Sequence, residues 1–396
     1  MSDSLSLAEL SAAVSGGAAA LRSITILQPV EGEGGKVFPA TYAEGKYATE
    51  KRRLAASDGG PEREVDCVLL NSVQSEANHA ELALLDAVRR GQIQLPLIEV
   101  DFAEANTQFQ KDLPNLTSLE VPHRLADAIL RDSMLADGTR FSKSAYAERW
   151  RRSNLWNATA IYELCPTALV FGMWGSPDKP GGLGAKFERA YISEIVAVDT
   201  LTVPDRRGFR VDPLEVSKGA AVVRSGDGFQ LAGEKAKGAL RPSEVNHGNI
   251  IFESTNGGIR CRFAEQTTVV SLGALRKLRF PVDGKSDAKR DDAARAALAA
   301  LALCAGVLTT ERGVSLRSRC NLRPVAPRVW ELLDRPGRPG KTFTMTGDGA
   351  VELVKEAAAA SMPWMKETLS LKPTPELVDL VRKSQEIMAA QGEEES

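Results

Sequence analysis

Uncharged hydrogen-bonding side chains are concentrated in residues 71–81, NSVQSEANHAE, which follow the apolar run VDCVLL and precede LALLDAVRRG. An apolar run followed by an amphipathic segment predicts a strand that leads into a helix, here over residues 72–90. Ser72, Ser75 and Asn78 recur every three residues, so on a helix they form a polar stripe beside the buried face. The free N–H groups of a helix start favour a phosphate. Short neutral donors beside them could hold a nucleic-acid backbone without reading its sequence.

Helix capping explains part of the same stretch. Asn71 can cap the helix while Gln74, three residues later, folds back onto the cap as in a capping box. This interpretation accounts for Asn71 and Gln74 but leaves the polar stripe unexplained, so both interpretations stay open.

A glycine-rich segment, GGLGAKFERA, is a second candidate for binding a polyanion. Gly181 and Gly182 allow close approach to the backbone, and Lys186 and Arg189 could pair with the charge. The segment is not a Walker A loop, because Ala185 rather than glycine precedes the lysine.

Basic residues also occur in short runs, most of which fit solvated surfaces; one of them, RWRR, contains Arg151 and Arg152. The run RSRCNLR differs, because it alternates within a predicted final strand, VSLRSRCNLRPV. Arg317 and Arg319 would then point from one face of a sheet. A sheet face that carries arginines is where an RRM-like fold meets RNA.

The bulk composition limits the functional classes. The chain has 396 residues, 43% hydrophobic and 26% charged, with a net charge of -2, so a polyanion site must be a local patch. Five scattered cysteines without a CxxC pair indicate reduced thiols in a cytoplasm rather than a zinc or disulfide framework. No secretory signal or membrane span is predicted, and the apolar run 296–308 is expected to form a buried helix.

Catalytic motifs are sparse. With three histidines, and with no HxxxH, GxSxG or paired-carboxylate motif, neither a metal site nor a cofactor is expected. Cys165, in ELCPTAL, has no histidine nearby in the sequence and is interpreted as a buried structural cysteine. We therefore expect a protein that is not an enzyme.

The order of elements predicts an α+β fold. A strand, a helix, further strands, a long helix and a final strand are compatible with a split β-α-β sheet of the ferredoxin-like or RRM-like kind. A helix is predicted over VPHRLADAILRDSML and a strand over ALVFGMWGS. Residues 206–263 are interpreted as an insertion of loops with a short hairpin, and the chain after residue 327 as helical.

Seven segments together resemble the RAMP-superfamily backbone subunit of type I-G (formerly I-U) CRISPR effector complexes, or Cascade. They run from about residue 24 to residue 324 and follow one another in the same order. The segments are NSVQSEANHAELALLDA, PHRLADAILRDS, ELCPTALVFGMWGS, GGLGAKFERAYISEIV, RPSEVNHGNIIF, AEQTTVVSLGALRKLRFP and LRSRCNL.

The resemblance implies an RRM-like palm over residues 1–326 with large finger and thumb insertions, the thumb-like one at about 206–263, and a helical C-terminal extension over 327–396. Several copies would stack along one guide RNA (crRNA), which pairs with target DNA in antiviral defence before a recruited nuclease-helicase acts. The partners implied are the guide, the target DNA through it, further copies of the chain and other Cascade subunits. No membrane partner is implied.

Guide RNA contacts follow from the resemblance together with the motifs above. NSVQSEAN and GGLGAK would hold the guide backbone, PSEVNHGN would lie in the thumb-like insertion, and GGKVFP offers a basic and an aromatic residue after the first strand. The predicted RNA-binding residues are Lys36, Ser72, Gln74, Ser75, Asn78, Arg151, Arg152, Gly181, Gly182, Lys186, Arg189, Asn246, His247, Asn249, Arg317 and Arg319.

Two alternatives stay open. A ribonuclease of the same superfamily would cut target RNA with a loop aspartate, although no residue here marks such a role. A metabolic enzyme would use Cys165 as its nucleophile.

Overall fold

The computed structural model describes residues 4–55, 61–105, 113, 115–175, 185–203, 207–210, 212–217, 219–225, 228–233, 238–245, 247–248, 250–253, 257–311 and 313–394. The fold is mixed α+β with antiparallel sheets. Its helices are α1 (Leu7–Gly16), α2 (Val73–Arg89), α3 (Ala128–Arg131), α4 (Ala145–Arg151), α5 (Thr159–Leu164), α6 (Thr167–Phe171), α7 (Leu272–Arg276), α8 (Ala288–Glu311), α9 (Gly347–Ala359) and α10 (Pro375–Glu394).

The strands are mostly short, and four of them exceed eight residues. They are β1 (Ala20–Pro29), β2 (Lys36–Val37), β3 (Thr49–Leu54), β4 (Arg63–Asn71), β5 (Ile98–Val100), β6 (Leu116–Thr117), β7 (Ser133–Met134), β8 (Met173–Trp174), β9 (Lys186–Phe187), β10 (Tyr191–Thr202), β11 (Arg207–Arg210), β12 (Val222–Ser225), β13 (Gly228–Leu231), β14 (Ile250–Glu253), β15 (Ile259–Ser271), β16 (Val314–Arg317), β17 (Cys320–Pro324), β18 (Val329–Leu333), β19 (Lys341–Thr344) and β20 (Leu369–Pro373).

The main sheet has the strand order β16-β17-β1-β15-β10-β4-β3, with antiparallel neighbours throughout. Side chains alternate along β1, where Leu21 and Leu27 are buried while Ile24 on the other face is 51% exposed. The sheet therefore buries one face under helices and leaves part of the other open.

Helix α8 fills the centre of the helical layer and packs against α1, α2 and α9. Its many alanines let these neighbours approach closely. Gly306 shows how tight the packing is, since an added Cβ would lie 3.1 Å from the Trp330 ring and 3.2 Å from the Tyr191 ring. The helix is long and apolar enough to span a membrane, but 83% of its apolar window is buried in the protein. The prediction of a buried helix over residues 296–308 is confirmed.

A second apolar cluster joins strands of the main sheet to the β16–β17 hairpin. Leu27 of β1, Leu70 of β4 and Ile195 of β10 pack there with Cys320 and Leu322 of that hairpin. This packing brings the β16–β17 hairpin close to the end of β4, where α2 begins.

Three predicted elements are corrected. The segment 121–135 holds a 3-10 turn, the short helix α3 and β7 rather than one helix, because Asp127 caps a new helix start. Residues 168–171 of the predicted strand ALVFGMWGS lie in α6, whose residues are buried on all sides. The predicted final strand is the β16–β17 hairpin, with its turn at Arg319, where φ is +59°.

The segment after residue 327 is helical in part. It contains α9 and α10, but β18 pairs with β1 in the main sheet, and β20 joins a small sheet of order β6-β5-β20-β7. In residues 206–263, the structure describes two pairs of strands, β11–β14 and β12–β13, before β15 begins.

Candidate functional site

Helix α2 is capped by Ser72, not by Asn71 as the capping hypothesis predicts. The Ser72 hydroxyl accepts a hydrogen bond from the Ser75 backbone N–H at 3.3 Å. Asn71 still belongs to β4, where it pairs with Ile195, and its buried amide hydrogen-bonds to Glu76 and to His79. The strand therefore extends one residue further than the pattern indicates, and the cap moves with it.

Glu76 anchors this helix start to the sheet. Its buried carboxylate accepts hydrogen bonds from the Ser193 hydroxyl and the Gln266 amide, each at 2.7 Å. Burial opposes the charge, but the hydrogen bonds from His79, Ser193, Asn71 and Gln266 outweigh it and hold the pKa of Glu76 below its ordinary value. The first turn of α2 is thus fixed against β10 and β15.

A cleft of about 490 Å³ lies beside this helix start. Gln74 and Asn78, one helical turn apart, form one wall, and both are exposed. Trp174 of β8 and Arg189, just after β9, also line it, together with His123. The cleft therefore combines neutral amides, a cation and an aromatic ring with the carboxylate of Glu188, which is paired with Lys277 at 2.6 Å.

A buried ion pair supports the floor of the cleft. Arg124 donates to both carboxylate oxygens of Glu81, at 2.6 and 2.7 Å, and to the carbonyl of Gly172 at 3.1 Å. Arg124 has a φ of +51°, a strained value held by these contacts. Gly172 must be glycine, since its φ is +84° and a Cβ would lie 2.9 Å from Cγ of Arg189.

The β8–β9 hairpin positions two further groups. Trp174 and Lys186 are partners across the hairpin, and the Lys186 ammonium lies 4.9 Å from the centroid of the indole ring. Both side chains are exposed, with Trp174 at 65%. The predicted Gly181 and Gly182 lie outside the described residues.

Arg317 and Arg319 do not share one strand, so the prediction that they point from one sheet face is wrong. Arg319 occupies the turn of the β16–β17 hairpin, and its guanidinium lies 4.3 Å from the centroid of the Phe38 ring. Lys36 lies 5.1 Å from the same ring. Arg317 donates to the carbonyl of Leu70, at the end of β4. Lys36 and Arg319 thus meet at one aromatic ring while Arg317 contacts the end of β4, an arrangement that strand alternation could not predict.

The remaining predicted residues lie elsewhere. Arg151 and Arg152 end α4, where Arg151 donates to the Ser142 carbonyl and Arg152 pairs with Glu148. His247 is exposed in the insertion, with its ring 5.0 Å from that of Phe229. Asn246 and Asn249 lie outside the described residues. In the part of the chain that the structure describes, none of these lines the cleft.

Sequence reasoning missed several groups at the cleft. Trp174 carried a usable signal, an aromatic residue directly before a glycine-rich segment. Arg124 and Glu81 carried none, because 43 residues separate them and only the fold joins them.

Thiol chemistry has little support in the geometry. All five cysteines are free and buried. Burial raises the pKa of the Cys165 thiol, and it raises the pKa of Cys261 and Cys320 to about 11 and that of Cys304 to about 12. Within the described residues, no group of three or more His, Cys, Asp or Glu side chains is placed to hold a metal ion.

The comparison with protein families finds a similarity to one family of CRISPR-associated proteins. Residues 21–201 match the model of the family described as CRISPR-associated protein GSU0053. This segment runs from β1 through β10 and contains α2 and every residue named above as lining the cleft. The predicted resemblance to a CRISPR-associated family is thereby confirmed. No curated protein matches the chain.

Proposed function

We propose that the chain is a non-catalytic backbone subunit of a type I-G CRISPR surveillance complex. It would multimerise along the guide RNA, grip its sugar-phosphate backbone and present it for pairing with target DNA. The observation that carries this proposal is that the segment matching a CRISPR-associated family contains the cleft. The cleft offers the neutral donors and the cation that a sequence-independent RNA contact needs.

The strand order supports an RRM-like palm. Taken in chain order, β1, α2, β10, β15, α8 and β17 alternate as β-α-β-β-α-β, and the four strands lie side by side as β17-β1-β15-β10. Both helices pack on the same layer, since α2 contacts α8. This is the arrangement of a split β-α-β fold, to which the β3–β4 hairpin adds two strands at the edge.

The charge distribution supports a local grip. The whole chain carries a formal charge of -2, so long-range attraction to RNA is weak. Arg189 lines the cleft and supplies a cation there, and Lys186 supplies another over the Trp174 ring. Gln74 and Asn78 supply amide donors that carry no charge. A nearly neutral chain also suits copies stacked along one guide, because like-charged neighbours would repel one another.

Partners and location follow from the same proposal. Other Cascade subunits and a recruited nuclease-helicase would meet the assembled filament, and the thumb-like insertion with His247 would lie against the guide. A cytoplasmic location agrees with five free, buried thiols.

The alternatives are less well supported. No observation favours a ribonuclease, and the buried thiols with raised pKa values argue against a cysteine-dependent enzyme. Incubation with guide-complementary RNA and divalent metal would reveal cleavage if the ribonuclease alternative were correct.

The proposal is tested by the RNA that copurifies with the protein. We expect RNA of defined length when the chain is expressed with its CRISPR array and companion subunits. The combined variant Gln74→Ala, Asn78→Ala, Arg189→Ala should retain its melting temperature and carry less RNA. Wild-type complexes free of RNA, or full occupancy in the stable triple variant, would contradict the proposal.

A further inference from the structure

We propose that Trp174 is a nucleobase-stacking residue and that the cleft takes one unpaired base of a bound single-stranded RNA. This inference rests on the proposed function and deepens it, because a backbone grip alone requires no aromatic surface.

The exposure of Trp174 is the first observation. Its neighbour Met173 is 6% exposed, so the two-residue strand buries one apolar side chain and turns the larger one outward. Trp150 and Trp330, by contrast, are 3% and 0% exposed. An indole that is 65% exposed and lines a cleft leaves much of a flat apolar surface open to solvent beside its contact with Lys186.

The shape of the cleft is the second observation. A volume of about 490 Å³ can hold a single nucleoside but not a stacked duplex. The floor is rigid, since Arg124 links Glu81 to the Gly172 carbonyl. A base inserted beside Trp174 therefore enters a preformed space.

The polar groups around the ring fit a nucleotide of any sequence. Gln74 and Asn78 each offer an amide with both donor and acceptor atoms, so they can meet the edge of any base. Arg189 lines the same cleft, and Lys186 lies over the indole, where each can reach a phosphate next to the stacked base. Stacking tolerates all four bases, since every base has a π-face.

The test distinguishes stacking of a base on Trp174 from contacts with the sugar-phosphate backbone. Binding is measured for oligouridine and for a ribose-phosphate oligomer of equal length that lacks bases, with wild-type protein, Trp174→Ala, Trp174→Phe and Trp156→Ala. Trp156 is the matched control, because it is 77% exposed in the turn after Asn154. We expect Trp174→Ala to weaken oligouridine binding about ten-fold. Its binding of the abasic oligomer should equal that of wild type, and Trp174→Phe should keep most of the affinity.

Each contrary result has a distinct meaning. Equal losses for both ligands in Trp174→Ala, or no loss for either, would overturn the stacking role while leaving the backbone grip intact. Failure of the wild-type protein to bind either ligand would overturn the proposed function and the inference with it. Folding of each variant is checked by thermal melting. If Trp174→Ala has a lowered melting temperature, tryptophan fluorescence replaces the affinity measurement. Adding oligouridine should change the fluorescence of wild type and Trp156→Ala but not that of Trp174→Phe.

Discussion

The guanidinium of Arg317 donates a hydrogen bond to the backbone carbonyl of Leu70, 3.2 Å away and 247 residues earlier in the chain. Leu70 is the next-to-last residue of β4, and Ser72 caps α2 immediately afterwards. The contact therefore links the β16–β17 hairpin to the start of the helix that forms the cleft wall.

Removal of the hydrogen bond from Arg317 to Leu70 should lower the stability of the fold. Arg317→Ala loses a charge-assisted hydrogen bond that is partly buried, so the free energy of unfolding should fall by about 2 kcal/mol. Arg319→Ala is the control, because its guanidinium lies over the Phe38 ring in an exposed turn and should cost about 0.5 kcal/mol. Urea unfolding of both variants measures the difference. Equal losses would mean that the Leu70 contact contributes nothing particular.

The cations Lys186 and Arg189 should contribute to RNA affinity and not to the stability of the fold. Both Lys186 and Arg189 are exposed, so Lys186→Ala with Arg189→Ala should leave the melting temperature nearly unchanged and weaken single-stranded RNA binding. The slope of log affinity against log salt should become shallower by about 1.4, since each lost phosphate contact contributes about 0.7 for single strands. Lys383→Ala, on the exposed side of α10, should leave the slope as it is. Loss of the fold in the double variant would show that the cations are structural.

The start of α2 separates capping from RNA contact. Ser72→Ala should cost about 1 kcal/mol of stability through the lost cap, with RNA affinity per folded molecule unchanged. Gln74→Ala with Asn78→Ala should not destabilise the helix, because alanine is the better helix former. Affinity should fall about five-fold for each lost amide, from a net hydrogen-bond energy of about 1 kcal/mol.

Leu82→Ala, also exposed on α2, is the control for the amide pair and should leave affinity unchanged. Stable amide variants that bind RNA as tightly as wild type would remove α2 from the interface and leave Ser72 as a helix cap alone.

The long, strongly patterned elements could be predicted from the sequence. The apolar run VDCVLL lies within β4, the helix predicted over residues 72–90 is α2, and the apolar run 296–308 lies within α8. Short elements carry no period, which is why residues 121–135 and 168–171 were assigned wrongly.

The site was predictable only where its signal is local. The polar residues of α2 and the cations around residue 186 can be recognised in the sequence alone. Other contacts of the site join residues that are far apart in the chain. They are the ion pair Arg124–Glu81, the hydrogen bonds of Glu76 with Ser193 and Gln266, and the hydrogen bond from Arg317 to Leu70. Only the fold defines such pairs, and a turn at Arg319 is enough to reverse a prediction based on strand alternation.

Thiol reactivity should distinguish a structural from a catalytic role for the cysteines. All five are buried, and burial raises the pKa of the Cys165 thiol. Native protein should therefore react slowly with a thiol reagent, whereas denatured protein should react with five equivalents of it. Cys165→Ser should leave RNA binding unchanged, apart from any loss of folded protein. Rapid stoichiometric labelling of Cys165 in the native state would revive the enzyme alternative.

Lowering the pH should reduce the stability of the fold through Glu9, which links α1 to β19. Its carboxylate accepts from Lys341 at 2.5 Å and from the Ser6 backbone, and these bonds lower the pKa of Glu9 to about 2. Because the folded pKa lies below the ordinary value of 4.5, the contribution is present above pH 4.5 and is lost as pH falls toward 2. Since the carboxylate is 41% exposed, we expect a loss of only about 1 kcal/mol.

Glu9→Gln should have that lower stability already at neutral pH and a flatter dependence on pH between 4.5 and 2. Glu386→Gln, in an exposed pair on α10, serves as the control. Chemical denaturation at a series of pH values measures both slopes, and parallel curves for Glu9→Gln and wild type would show that the Lys341 contact does not govern acid stability.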